Sequence, residues 1–220
     1  MKKTLSIIAC ATLAILSTSC AAVNSGRPLA ELLLPAGRVA LVRDGGVALR
    51  GALQPSDPSQ AVYILQYDLD ETPSSAARKA IAESGATLLS PVSGGAYLVR
   101  ATATQALAIL DAGIVAAARE YLAEDKIAPG LSGGLENAAP STGAANSRIL
   151  VVSFFHDCEP AAVKEAIAAI DGCEVLDGAD GMFRVSATSA AIPCVASLPQ
   201  IQSIGPWLEP KAAFQDSNAS

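Results

Sequence analysis

The sequence predicts an α+β protein made of two tandem βαββαβ units with antiparallel sheets, and three observations predict it. First, the second half repeats the first at an offset of about 86 residues. Tyr63-Ile64-Leu65-Gln66-Tyr67 is echoed by Leu150-Val151-Val152-Ser153-Phe154, Pro73 by Pro160, Gly85 by Gly172 and Leu89 by Leu176. Tyr97 and Val99 answer to Phe183 and Val185, Ala101-Thr102 to Ala187-Thr188, and Tyr121-Leu122 to Trp207-Leu208. Second, the order of strand and helix signals is the same in both copies. Third, the chain is 51% hydrophobic but only 4% aromatic, with alanine carrying much of the total, which suits thin helix–sheet packing. Two copies at this period mean tandem small domains, not a solenoid.

The elements follow in chain order. Met1-Lys2-Lys3 and the apolar run Leu5–Leu16, too short to span a bilayer, read as an export leader. Leu16-Ser17-Thr18-Ser19-Cys20 resembles a bacterial lipoprotein cleavage site, although Ser17 stands where a larger aliphatic residue is usual. Lipidation of Cys20 and plain secretion after Ala21 or Ala22 both stay open. The expected location is exported: bacterial periplasm, outer envelope or extracellular. In the extension that follows, Arg38–Val42 and Val47–Arg50 flank Arg43-Asp44-Gly45-Gly46 and predict a hairpin turning at those glycines.

In the first unit the expected elements are a strand Val62–Tyr67 and a helix entered after Pro73 with Ala77, Ala80 and Ile81 on one face. That helix stops at Gly85. A short strand Thr87–Leu89, a turn at Ser93-Gly94-Gly95 and a return strand Ala96–Arg100 come next. A helix capped by Thr102 or Thr104 runs through Leu110, and Val115–Tyr121 closes the unit. The second unit reads Ile149–Phe155, a helix with Val163, Ala166, Ile167 and Ile170 on one face, Gly172, and a hairpin of Glu174–Leu176 with Met182–Val185. A helix within Thr188–Ser197, shortened or bent by Pro193, follows. The organisation is thus leader 1–22, extension with a hairpin 23–60, first unit 61–128, flexible Gly/Ser/Pro-rich linker 129–147, second unit 148–212 and tail 213–220. This order of elements is that of the ferredoxin-like sandwich, one antiparallel sheet with both helices on one face.

Period-2 alternation assigns the faces. Tyr63, Leu65, Tyr67, Tyr97 and Val99, with Leu150, Val152, Phe154, Phe183 and Val185, should face the helices. The opposite faces carry Ile64, Gln66, Leu98 and Arg100 in the first unit, and Val151, Ser153, Phe155, Met182 and Arg184 in the second. Both are too apolar for a freely solvated sheet, so a partial cover is expected. A unit of about 65 residues buries only roughly 60% of its unfolded surface, so each copy is expected to lean on its sibling or a partner.

Several functions are disfavoured. A net charge of −6 argues against a nucleic-acid partner. No Gly-x-Ser-x-Gly elbow, phosphate loop or metal motif is present, and the single histidine, His156, lies at a strand end. The expectation is a non-enzyme without cofactor or metal, touching a membrane only through a lipid anchor on Cys20. Cys158, Cys173 and Cys194 all fall in the second unit. Cys158 and Cys173 sit at opposite ends of a helix, about 18 Å apart at the helical rise, which disfavours a bridge between them; pairings that include Cys194 stay open.

Tyr63-Ile64-Leu65-Gln66-Tyr67, Ala77-Arg78-Lys79-Ala80-Ile81 with Gly85-Ala86, Gly95-Ala96-Tyr97-Leu98-Val99-Arg100, and the closing Tyr121 and Trp207 with Glu209-Pro210 carry a resemblance. They look like the tandem N-terminal propeptide-like domains of certain bacterial subtilisin-like serine proteases, over about residues 61–212. The resemblance implies a partner that chaperones or inhibits such a protease, with a sheet face packed on the enzyme and the segment after the last strand entering its cleft. By that implication the contact residues are Trp207, Leu208, Glu209, Pro210 and Lys211, together with Phe155, Met182 and Arg184 on the open face. The chain carries none of the catalytic Asp, His and Ser motifs of those enzymes. Two other readings stand beside this one: an envelope-associated binding or structural module with no protease partner, and a truncated N-terminal fragment of such a protease.

Overall fold

The computed structural model describes residues 28–43, 60–68, 75–131, 147–179 and 181–208. The leader with Cys20, the Asp44-Gly45-Gly46 turn, most of the linker and the residues from Glu209 onward lie outside the described residues. The described residues are mixed α+β and form two four-stranded antiparallel sheets and one two-stranded ribbon. The ribbon is β1 (Pro28–Leu34) and β2 (Gly37–Val42). The first unit holds β3 (Gln60–Gln66), α1 (Ser75–Glu83), β4 (Thr87–Val92), β5 (Ala96–Thr102), α2 (Ala103–Asp111) and β6 (Ala117–Glu120). A short 3-10 helix, Ala123–Lys126, leads away from it. The second unit holds β7 (Ser147–Phe154), α3 (Pro160–Ala168), β8 (Cys173–Ala179), β9 (Met182–Thr188), α4 (Ile192–Ser197) and β10 (Ile201–Pro206).

The repeat survives at the level of register. Strand order is β4-β5-β3-β6 in one sheet and β8-β9-β7-β10 in the other, the same permutation twice. Each second strand carries an irregularity at the equivalent place, with Leu89 between Leu88 and Ser90 and Leu176 between Val175 and Asp177. The Tyr121 amide donates to the Val62 carbonyl, and the Trp207 amide donates to that of Ile149, the residue equivalent to Val62. Gly85 and Gly172 both leave their helices with φ near +80°, a conformation glycine adopts without steric penalty. Thr102 caps α2 in a reciprocal capping box with Gln105, and Pro193 stands in the first turn of α4, so that helix begins at Ile192.

The inner faces are as the alternation predicts. Tyr63, Leu65, Tyr67 and Val99 pack with Ile81, Ala106 and Ile109 of the helices. In the second unit Leu150, Val152, Phe154, Phe183 and Val185 pack with Val163, Ile167, Ile192 and Val195. A third core contains no helix residue. There Leu32, Leu34 and Leu41 of the ribbon lie on Val62, Ile64, Leu89 and Leu98, the opposite face of the first sheet. Buried Gln66 anchors the ribbon, its Nε2 donating to the carbonyls of Ala30 (2.8 Å) and Gly94 (3.0 Å).

Only one arm of the expected hairpin lies within the described residues. Arg38–Val42 falls in a strand, and that strand pairs with the segment before it through a turn at Pro35-Ala36. Leu32 and Leu34 on β1 and Leu41 on β2 share one apolar side of the ribbon, and burying that side on the first sheet selects this pairing. The proposed partner Val47–Arg50 lies outside the described residues. Residues on both sides of the expected linker start at Pro129 touch the second unit. Ile127 belongs to the core of the second unit, Leu131 packs against it, and Ile127 pairs in parallel with Ile204 on the β10 edge.

Candidate functional site: the open sheet face of the second unit

The two outer sheet faces have different fates. Residues equivalent by register are buried in the first unit and exposed in the second. Val62 is 5% exposed and its counterpart Ile149 45%; Leu89 is 8% and Leu176 40%; Ala96 is 1% and Met182 46%. The ribbon covers the first set, and no described residue covers the second in the same way.

Part of the outer side is consumed by the contact between the units. Arg100, on the outer face of β5, forms a two-point ion pair with Asp157 (Nε–Oδ2 2.7 Å, Nη2–Oδ1 3.1 Å) and lies over the Phe155 ring at 5.5 Å. The pair raises the pKa of Arg100, and its hydrogen bonds hold the Asp157 carboxyl below its ordinary value. The Tyr121 hydroxyl donates to the Gln202 carbonyl (2.8 Å), and burial pushes its pKa up. Buried Lys126 donates to the carbonyls of Ala196 (2.9 Å) and Leu198 (3.0 Å) at the C-terminal end of α4. Burial first, and the Arg100 charge second, lower the Lys126 pKa to about 8.

This contact engages Phe155, an expected contact residue, and Arg100 of the expected outer face. Phe155 is 1% exposed in the core shared by ribbon, first sheet and second unit, so it is not available on a docking face. It follows the last residue of β7, so the strand alternation no longer fixes where its ring points, and the ring turns into the junction. Arg100 is likewise engaged inside the molecule, not solvated.

Part of what remains open gathers around one cavity. Val151 on β7, Met182 and Arg184 on β9, the Asp177–Ala179 edge of β8 and the ring of Trp207 line a predominantly apolar cavity of about 360 Å³. Arg184 lies over the Trp207 indole at 5.1 Å and is paired with Asp177 across the sheet. Gly178 permits the close fit, because a Cβ there would stand 2.2 Å from the Phe183 ring. Leu208, which follows Trp207, is 78% exposed. Of the expected contact residues, Met182, Arg184, Trp207 and Leu208 thus sit together, while Glu209, Pro210 and Lys211 lie outside the described residues. The sequence reading did not single out Ile149, Leu176 or Asp177 as contacts. The Leu89–Leu176 equivalence was the signal that would have found Leu176.

His156 is exposed on the turn after β7. Cys158, Cys173 and Cys194 are free thiols. Burial raises the pKa of Cys158, with Asp157 adding to it, and burial also raises that of Cys173, with Cys194 adding to it. Both thiols are therefore held in the protonated, poorly nucleophilic form. Among the described residues no three His, Cys, Asp or Glu side chains gather as a metal site, and no helix is long and apolar enough to cross a membrane. Comparison with protein-family models, curated proteins and solved structures finds no match to this chain.

Proposed function

We propose that this chain is a non-catalytic binding protein of two ferredoxin-like sandwiches that docks on a subtilisin-like serine protease through the outer sheet face of its second unit. One observation carries the reading: register-equivalent faces are covered in the first unit and left open in the second. The open face runs directly into Trp207 and exposed Leu208, where the chain leaves the last strand. That is the arrangement a propeptide-like inhibitor uses, with a sheet on the enzyme surface and the following segment entering the cleft as an extended strand. The matching strand order and the helices packed on one face of each sheet support the fold assignment. The resemblance in residues 61–212 supports the choice of protease class.

The test is to incubate the purified protein with an equimolar subtilisin-like protease and follow residual activity with a chromogenic peptide. Stoichiometric, persistent inhibition is expected, and deletion of the residues after Trp207 should abolish it while leaving both units folded. Undiminished protease activity accompanied by digestion of the protein would remove the proposal.

A further inference from the structure

We infer that the open face of the second unit is a receptor for an apolar β-ribbon supplied by a partner protein, seated there as β1–β2 is seated on the first unit. The inference rests on reading this face as a docking surface, but not on the partner being a protease. The molecule contains its own template. Where the sheet is β4-β5-β3-β6, the side chains of Leu32, Leu34 and Leu41 fill the space over Val62, Ile64 and Leu89. The second sheet presents Ile149, Val151 and Leu176 at the equivalent register positions, including the equivalent irregularity, and these are all of the size and chemistry that a leucine-bearing ribbon covers. Exposures of 45%, 40% and 46% at Ile149, Leu176 and Met182 would fall toward the 5%, 8% and 1% of Val62, Leu89 and Ala96.

Three differences define how the partner's ribbon departs from the internal one. Ser153 replaces Gln66, so the buried amide that grips the Ala30 carbonyl is absent. Arg184 replaces Leu98 and Asp177 replaces Ser90, which places a charged pair where the first sheet is neutral. The partner ribbon therefore carries leucine-class side chains at every second position, and a main-chain carbonyl or a carboxylate where it meets the Arg184 guanidinium. It is not held by edge-strand pairing, because β1–β2 covers the first sheet through side chains and single hydrogen bonds such as Leu33 N–H to Ser93 Oγ.

The chain has one tryptophan, Trp207, on this face, which gives a site-specific signal. The experiment titrates the purified protein with a synthetic peptide of residues 28–42 closed into a hairpin by an added terminal disulfide, following Trp207 fluorescence. The first unit's face already holds its tethered ribbon, and Trp207 does not report on it. A saturable blue shift is expected, absent when Leu32, Leu34 and Leu41 of the peptide are replaced by serine. Met182→Asp and Leu176→Asp should each weaken it at least about tenfold, with far-UV circular dichroism unchanged, since each removes a large apolar contact. No saturable shift, an equal shift with the serine peptide, or equal affinity in the folded variants would overturn the inference. A shift caused by phosphatidylcholine vesicles and not by the ribbon would overturn it in favour of a lipid surface. Ribbon binding without protease inhibition would refute only the protease reading, and inhibition without ribbon binding would refute only this one.

Discussion

Replacing Arg100 with methionine should uncouple the two units. The guanidinium makes two hydrogen bonds to Asp157, one long contact to the Pro199 carbonyl and a cation–π contact to Phe155. The side chains of Arg100 and Asp157 are only 14% and 22% exposed, so the pair is more buried than a surface bridge. Breaking a fully buried pair costs about 3–5 kcal/mol and breaking an exposed one under about 1 kcal/mol. Partial exposure places this one near 2–3 kcal/mol. Methionine keeps most of the apolar stem against Phe155, so the loss reports the charge and not a cavity. The pH dependence supplies a second constraint. Asp157 is held below its ordinary pKa by Arg100, so the stability it contributes is complete above the unfolded-state value of about 3.9 and is lost as the pH falls through its native value. The penalty of Arg100→Met should therefore be largest near neutrality and shrink in acid. Urea unfolding, which does not screen charge, followed by Trp207 fluorescence and far-UV circular dichroism, measures it. The wild type should show coincident transitions, and the variant a separation of the two signals. A loss under about 1 kcal/mol at neutral pH, or one that stays constant into strong acid, would refute the reasoning.

Three further outcomes follow from the same contacts. Lys126 has a native pKa of about 8 against an ordinary 10.5, so between those values the unfolded chain holds the proton and the native chain does not. Its contribution to stability should rise with pH across that window by up to about 3 kcal/mol, and Lys126→Met should flatten the rise in a urea series. Gln66→Leu removes the amide that donates to Ala30 and Gly94 and leaves two carbonyls without it. A loss of about 1–3 kcal/mol is expected, with amide hydrogen exchange in β1 accelerated before that in β7. Gly178→Val drives a side chain into the Phe183 ring and the Met182 carbonyl. It should cost about 1–3 kcal/mol and shift Trp207 emission, because the cavity wall must move.

Local pattern made most of each unit legible. The alternation of Tyr63, Leu65 and Tyr67, Gly85 and Gly172 after the helices, and Thr102 ahead of α2 are signals that neighbouring residues carry. What escaped lies between distant segments. Nothing near Arg100 announces Asp157, 57 residues away, and nothing near Tyr121 announces Gln202, 81 residues away. The pairing of β1 with β2 was not legible, because Pro35-Ala36 is a weaker turn signal than Asp44-Gly45-Gly46 and the apolar side formed by Leu32, Leu34 and Leu41 shows only once both strands are in place. Gln66, an amide amid aliphatic residues, was the local hint that something covers that face. At the site, Met182, Arg184, Trp207 and Leu208 were legible from alternation and the closing aromatic, whereas Phe155 misled because it lies just past its strand.

The pairing of Ile127 with Ile204 has a consequence for how the chain acquires its structure. The terminal strand of the second sheet would otherwise present a bare edge, and the residues that blunt it are made earlier and belong to the exit of the first unit. The Ala128 amide donates to the Ile204 carbonyl at 2.9 Å, while Lys126 caps α4 from the same direction. During N-to-C synthesis the leading half thus emerges with a guard already in place for the trailing half. Cutting the chain at the glycine-rich joint after Leu131 keeps that guard with the wrong piece, and the severed C-terminal fragment is left prone to edge-to-edge association.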